Sequence, residues 1–154
     1  TLEAIADPRL PKGGPGRVHY EGPFGDFWLS EVTVQADGKP VKLARATQSF
    51  AEGNKTAARA IDGDPQTGWS ISGGQGKTHA AVFQLDPPLE KVSRLDLKLL
   101  FERYYAAGLG RFRISITGDE RPGERRRVVV VGHGAVVVRR RRHQQRVARW
   151  GCPT

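Results

Sequence analysis

The sequence predicts an all-β fold, an antiparallel β-sandwich. Three observations carry this. Apolar residues recur at every second position in several short runs, as in Leu95, Leu97 and Leu99 or Phe112, Ile114 and Ile116. The joints between those runs are rich in Gly, Pro, Asp and Ser, and no stretch has the long 3.6-residue period of an amphipathic helix. At 154 residues the chain is long enough for one domain with a real core. No apolar run approaches the roughly 20 residues that span a bilayer.

Residues 1–26 read as an extended Pro/Gly-rich arm: Asp7-Pro8, Leu10-Pro11, Gly13-Gly14-Pro15-Gly16, Gly22-Pro23 and Gly25 are all turn formers. Leu2, Ile5 and Leu10 are the residues that would pin it to the domain. Lys12-Gly-Gly-Pro-Gly-Arg17 lacks the Gly-Lys-Ser/Thr ending and the following helix of a phosphate-binding loop. The opening Thr1-Leu-Glu-Ala has neither the basic nor the apolar region of a secretory leader. If the parent protein is exported, the chain is then an excised piece.

The domain itself is expected over residues 27–118. Residues 27–36 form the first strand, with Trp28, Ser30, Val32 and Val34 on one face and Phe27, Leu29, Glu31 and Thr33 on the other. Asp37-Gly38 is a hairpin turn signal. Strands follow at 41–47, at 79–85 with Ala81, Phe83 and Leu85 inward, at 92–101 and at 111–117. Asp86-Pro-Pro88 ends the strand at 79–85. Residues 49–55, 70–78 and 102–110 are loops. The expected core is Phe83, Leu95, Leu97, Leu99, Phe112, Ile114 and Ile116.

One stretch stands apart from this alternation. Ala57 to Ile61 is a short helical turn that breaks into Asp62-Gly63-Asp64-Pro65. Gly63 permits positive φ, Pro65 fixes its own φ, and Asp side chains bond nearby amides. Asp62, Asp64 and Thr67 bring three side-chain oxygens within six residues, the ligand type of a hard cation such as Ca²⁺. An Asx-turn without metal accounts for the same residues, and the spacing is not that of the twelve-residue EF-hand loop. Trp69 is placed to anchor the loop to the core. Glu31, a carboxylate among apolar neighbours, is either a solvated surface residue or a further oxygen ligand.

The run Asn54-Lys-Thr-Ala-Ala-Arg-Ala-Ile-Asp-Gly-Asp-Pro-Gln-Thr-Gly-Trp-Ser70 resembles the signature loop of discoidin-type, galactose-binding-like domains. There an "A-x-D-G-x-x-x-T-x-W" run follows a strand like Val41-Lys-Leu-Ala-Arg-Ala46, and the loop often holds a structural calcium. Five pieces fall in the order seen in a module of large planctomycete proteins that also carry a cytochrome c-type haem domain. They are Leu10-Pro-Lys-Gly-Gly-Pro-Gly-Arg17, Phe27-Trp-Leu-Ser-Glu-Val32, Ala60 to Trp69, Gly76-Lys-Thr-His-Ala-Ala-Val-Phe83 and Gly110-Arg-Phe-Arg-Ile-Ser-Ile-Thr117. The resemblance covers most of residues 1–117. It implies a jelly-roll β-sandwich, glycan-directed in the sense that such folds carry sugar sites, from an exported, extracytoplasmic multidomain protein. In some fucose-binding relatives a "C-E-V-E-V" strand supplies a Glu to the calcium, and Leu29-Ser-Glu-Val-Thr-Val34 is similar. Sugar sites in such folds combine an aromatic platform with a few loop donors. The loops here offer Gln75, His79, Tyr104, Tyr105 and Arg111 for that role.

The last stretch, residues 119–154, differs in kind. Residues 1–120 hold 15 Lys plus Arg and 15 Asp plus Glu, whereas residues 121–154 hold ten Arg and one Glu. The whole net charge of +9 therefore sits in an Arg/Val-rich tail where the resemblance has stopped. Two Val runs around Gly132-His133-Gly134 fit a hairpin, and the Arg blocks fit an anionic partner such as nucleic acid or lipid. A shift of the coding frame in a GC-rich gene, giving a non-native extension, accounts for the simultaneous change of composition, charge and resemblance. Cys152 is the only cysteine, so no internal disulfide can form.

No catalytic constellation is legible. His19, His79, His133 and His143 form no His-x-x-x-His pair, no Cys-x-x-Cys exists, and Gly68 to Gly73 does not spell a nucleophile elbow. The expectation is a non-catalytic carbohydrate-binding-like module. A structural spacer that packs on neighbouring domains and binds nothing small is the alternative, and nucleic-acid binding through the tail a second one.

Overall fold

The computed structural model describes residues 1–116 and, as strand backbone, residues 126–127 and 135–139. Its elements are almost all strands, and every pairing between them is antiparallel. In chain order they are β1 (Leu2–Ala4), β2 (Trp28–Leu29), β3 (Glu31–Ala36), β4 (Lys39–Val41), β5 (Leu43–Gln48), β6 (Trp69–Ser70), β7 (His79–Leu85), β8 (Arg94–Leu100), β9 (Phe112–Ile116), β10 (Arg126–Arg127) and β11 (Ala135–Arg139). They make a five-stranded sheet in the order β10-β9-β1-β7-β5, a four-stranded sheet β11-β8-β3-β4 and the short pair β2-β6. One-turn 3₁₀ helices occupy Pro11–Gly13 and Ala57–Ala60. Among the described residues no helix is long and apolar enough to cross a membrane.

A single cluster of buried side chains draws on both larger sheets. Leu2, Ala4, Ala81 and Ile114 come from the five-stranded sheet, and Val32 and Leu99 from the four-stranded one. At its centre Trp69 meets Phe27 edge-on, ring centroids 5.0 Å apart, with Leu29 and Ile71 fully buried beside them. The indole N–H of Trp69 donates to the Phe50 carbonyl at 2.9 Å, which satisfies the one polar atom that its burial would otherwise strand. Of the core expected from alternation, Leu99 and Ile114 are buried. Phe83, Leu97 and Phe112 are half-buried against the cluster.

The N-terminal arm differs from its sequence reading. Its first residues are a central strand: β1 lies between β7 and β9, with Leu2 opposite both Ala81 and Ile114. Glu3 stands opposite Arg113, which grips its carboxylate with two N–H groups. Of the glycines that follow, Gly13, Gly14, Gly22 and Gly25 take positive φ, and Gly16 serves close packing. A Cβ on Gly16 would lie 1.6 Å from the Asp26 carbonyl oxygen. The arm folds back on itself there, Gly16 donating its amide to the Gly25 carbonyl at 2.9 Å.

The strand expected over residues 27–36 is broken at Ser30. Trp28 and Leu29 pair with Ser70 and Trp69, and pairing with β8 begins at Glu31. Because the chain changes partner there, residues on both sides of the pleat become buried: Phe27, Trp28, Leu29 and Ser30 all are. The run expected over 41–47 also splits, β4 pairing with β3 in one sheet and β5 with β7 in the other. The turn at Asp37-Gly38 has positive φ at both residues, 48° and 81°, as an Asp-Gly hairpin requires. Two pieces of the stretch 119–154 run as edge strands, β10 on β9 and β11 on β8. The expected hairpin tip at Gly132-His133-Gly134, Cys152 and the Arg blocks apart from the backbone of Arg126, Arg127 and Arg139 lie outside the described residues.

Candidate functional site

The loop after the second 3₁₀ helix is built from nested Asx turns. Asp62 Oδ1 accepts from the Asp64 amide at 3.0 Å, and Asp64 Oδ1 accepts from the Gln66 amide at 2.9 Å. Gly63 between them has φ 83°. Strand β3 passes alongside, so that Glu31 Oε1 accepts from the Gly63 amide at 3.0 Å. Thr67 Oγ1 then lies within hydrogen-bond distance of four oxygens: Asp62 Oδ2 at 2.8 Å, Asp62 Oδ1 at 2.9 Å, the Arg59 carbonyl at 3.0 Å and the Asp64 carbonyl at 3.1 Å. A hydroxyl has one proton to donate. Three of the four oxygens also have other donors, namely the Asp64 amide for Asp62 Oδ1, the Arg59 guanidinium for Asp62 Oδ2 and the Thr67 amide for the Asp64 carbonyl.

The electrostatics of the loop follow from that crowding. Burial pushes the Glu31 carboxyl above its ordinary range, opposed by the Gly63 amide and reinforced by the negative charges of Asp62 and Asp64. Burial also raises Asp62, but the Asp64 amide, the Thr67 hydroxyl and the Arg59 guanidinium outweigh it, and the net direction is down. Among the described residues no three His, Cys, Asp or Glu side chains group closely enough to hold an ion by themselves. The donor set on offer is mixed: a carboxylate, a hydroxyl and two carbonyls, with Glu31 at the adjoining amide. It is all oxygen, the chemistry of a hard cation rather than of zinc.

Trp28 links this loop to a cleft. Its indole N–H donates to the Thr67 carbonyl at 3.3 Å and its amide to the Ala107 carbonyl at 2.8 Å. Gly68 makes the approach possible, because a Cβ there would lie 2.7 Å from the indole nitrogen. Tyr104 packs edge-on against Trp28, centroids 5.4 Å apart. The Arg103 guanidinium lies 5.0 Å from the Trp28 ring and 5.3 Å from the Tyr104 ring, and donates to the Gln66 carbonyl at 2.6 Å. Lys55, paired with Glu52 at 2.6 Å, lies 5.5 Å from the same indole.

The cleft has a volume of about 170 Å³, and His19, Asp26, Trp28, Glu52, Lys55 and Tyr104 are among its walls. Two features mark it as more than a packing fault. The His19 side chain is 4% exposed, yet neither ring nitrogen has a hydrogen-bond partner among the described residues, and Asp26 Oδ1 has none either. Their separation of 3.8 Å is too long for a direct bond. Second, Tyr104, Tyr105 and Ala106 all have positive φ, 51°, 52° and 60°. The left-handed conformation costs roughly 1–2 kcal/mol per non-glycine residue, and strain of this kind gathers where a site needs its side chains displayed.

The residues expected to bind a sugar are not brought together. Tyr104 lines the cleft, and Tyr105 lies beside it, 70% exposed, against Tyr20. Gln75 is spent on its own turn, its side-chain oxygen accepting from the Gly73 amide at 2.8 Å. His79 is corrected from a loop-edge donor to a core residue: it points inward on the same face of β7 as Ala81, is buried, and has Nε2 2.7 Å from the Gly74 carbonyl. Arg111 lies with Asp7 and Arg9 at a separate hollow of about 400 Å³, 3.2 Å from Asp7 Oδ2. There the Arg9 side chain and amide, with Arg111, hold the Asp7 carboxyl well below the usual range. His19, Asp26 and Trp28 were missed. The signal for them was the density of aromatic residues in 19–28, which Gly and Pro mask as a flexible arm.

No protein-family model matches the chain, and neither the curated proteins nor the solved structures yield a match.

Proposed function

We propose that this is a non-catalytic carbohydrate-binding module, a jelly-roll β-sandwich from an exported multidomain protein, with a structural Ca²⁺ in the loop of Asp62, Asp64 and Thr67. The observation that carries the binding role is the cleft. It sets the partly exposed ring of Tyr104, backed by the buried Trp28, beside polar atoms of His19 and Asp26 that have no partner among the described residues. A sugar ring needs that pairing of apolar face and a few fixed polar groups.

The cation reading rests on the four oxygens around Thr67 Oγ1. Asp62, the Thr67 hydroxyl and the carbonyls of Arg59 and Asp64 would hold the ion, and Glu31 would add charge. The ion would neutralise repulsion between carboxylates and fix the loop that positions Trp28. The sandwich reading is supported by one buried cluster fed from two antiparallel sheets.

The test is retention on a glycan array in the presence of Ca²⁺, with Trp28→Ala and Tyr104→Ala beside the parent. Selective retention lost in both variants is expected. A folded parent that retains no glycan would leave the spacer role as the function.

A further inference from the structure

Resting on that reading, we infer that the ligand is an uncharged oligosaccharide of at least two units, held by an inner hydroxyl subsite between His19 and Asp26 and an outer subsite on the Tyr20–Tyr105 pair. The inner subsite follows from two unpartnered groups facing one gap. His19 Nε2 and Asp26 Oδ1 are 3.8 Å apart, too far to bond and close enough for one atom to touch both. Asp26 can only accept, while the imidazole donates from one nitrogen. With the imidazole proton on Nε2, the group that satisfies both donates to the carboxylate and accepts from the ring. A hydroxyl does this, and an ammonium does not, because it has no acceptor to offer. The basic charge already present at the cleft, Lys55, is held by Glu52 and the Trp28 face, so among the described residues an anionic ligand finds no free Lys or Arg in the inner wall.

Length follows from volume and surface. At about 170 Å³ the cleft is smaller than the roughly 300–1,000 Å³ that encloses a drug-sized ligand. It has room for one ring, and anything longer must continue over the rim. Tyr20, 80% exposed, and Tyr105, 70% exposed, each adjoin a cleft-lining residue in the chain and stand with centroids 4.5 Å apart. Tyr105 belongs to the strained left-handed run that also puts Tyr104 in the cleft wall. Tyr20 sits in the tight turn closed by the His19–Gly22 pairing, one residue from the inner subsite. The two subsites are thus joined through the backbone on both sides, which commits the exposed aromatic surface to the same ligand chain.

The experiment is titration calorimetry on the full chain with Ca²⁺, using ladders of cello-, xylo- and manno-oligosaccharides from one to six units. The parent is expected to bind one ladder with affinity that rises from the first unit to the second or third. Tyr105→Ala should weaken the longer ligands roughly threefold to tenfold and leave the single sugar unchanged. Asp26→Asn should weaken every length by about tenfold. Affinity independent of length, or Tyr105→Ala without effect on a trisaccharide, would overturn the outer subsite; unchanged binding by a folded Asp26→Asn would overturn the inner one. In either case the glycan reading survives. A folded parent that binds no ladder overturns that reading and the two subsites together. Tyr105 is a surface residue, so its variant tests the inference even if Asp26→Asn does not fold.

Discussion

The indole N–H of Trp28 donates to the carbonyl oxygen of Thr67, 39 residues further along the chain. Through that bond one side chain belongs both to the oxygen-lined loop and to the aromatic cleft. Arg103 repeats the connection, donating to the Gln66 carbonyl while its guanidinium covers Trp28 and Tyr104.

The loop itself is the first thing to test. Thermal unfolding with Ca²⁺ and with a chelator should differ, by about 2.7 kcal/mol when Ca²⁺ is 100-fold above its dissociation constant. Asp62→Ala should abolish the difference. Identical melting of the parent under both conditions, with no Ca²⁺ heat in calorimetry, would leave nested Asx turns as the whole account of the loop.

Glu31 makes that effect pH-dependent. Burial and the charges of Asp62 and Asp64 favour its protonated form in the folded protein. Without a cation, its contribution to stability is complete below the usual glutamate value of about 4.3 and is lost as pH rises through the raised folded value. A bound cation favours the ionised form instead. Stabilisation by Ca²⁺ should therefore weaken as pH falls through the raised Glu31 value. Melting curves over pH 4 to 7 with and without Ca²⁺ measure this, and Glu31→Gln should flatten the dependence in that window.

Coupling between loop and cleft should pass through Trp28. Ca²⁺ is expected to raise affinity for a bound glycan, and by linkage the glycan should raise affinity for Ca²⁺ by the same factor. Trp28→Phe keeps an aromatic wall but loses the bond to Thr67. It should shrink that factor more than it weakens binding in saturating Ca²⁺. Calorimetric titrations in both orders decide the point, and an undiminished factor in the variant would locate the coupling elsewhere.

Core substitutions should rank by observed burial rather than by alternation. Ile71 is fully buried, and Ile71→Ala should cost about 2–5 kcal/mol in urea unfolding. Leu97 is only half-buried, so Leu97→Ala should cost less. The reverse order would contradict the packing.

Truncation after Gly118 should leave a folded domain, because among the described residues every member of the buried cluster lies between Leu2 and Ile114. Loss of β11 removes one neighbour from β8 and should lower stability without abolishing a cooperative urea transition. A truncated chain with no such transition would make the tail integral.

By itself the sequence determined the fold class and the places of most strands. Alternation is a property of neighbouring residues, and a strand with one buried face shows it locally; the run expected over 79–85 is β7 to the residue. The Asx chemistry of Asp62 and Asp64 was legible for the same reason, since each side chain bonds an amide two residues on. What needed the tertiary structure was every choice of distant partner. Leu2–Ala4 is too short to show a pattern, and only its position between β7 and β9 makes it central. The exchange of partners at Ser30 buries both faces of residues 27–30. The cleft joins His19 and Asp26 to Tyr104, some eighty residues apart, and no local propensity records a contact over that separation. The loop's converging oxygens lie between these cases: the turns came from local chemistry, but Glu31 joined them only because β3 runs past.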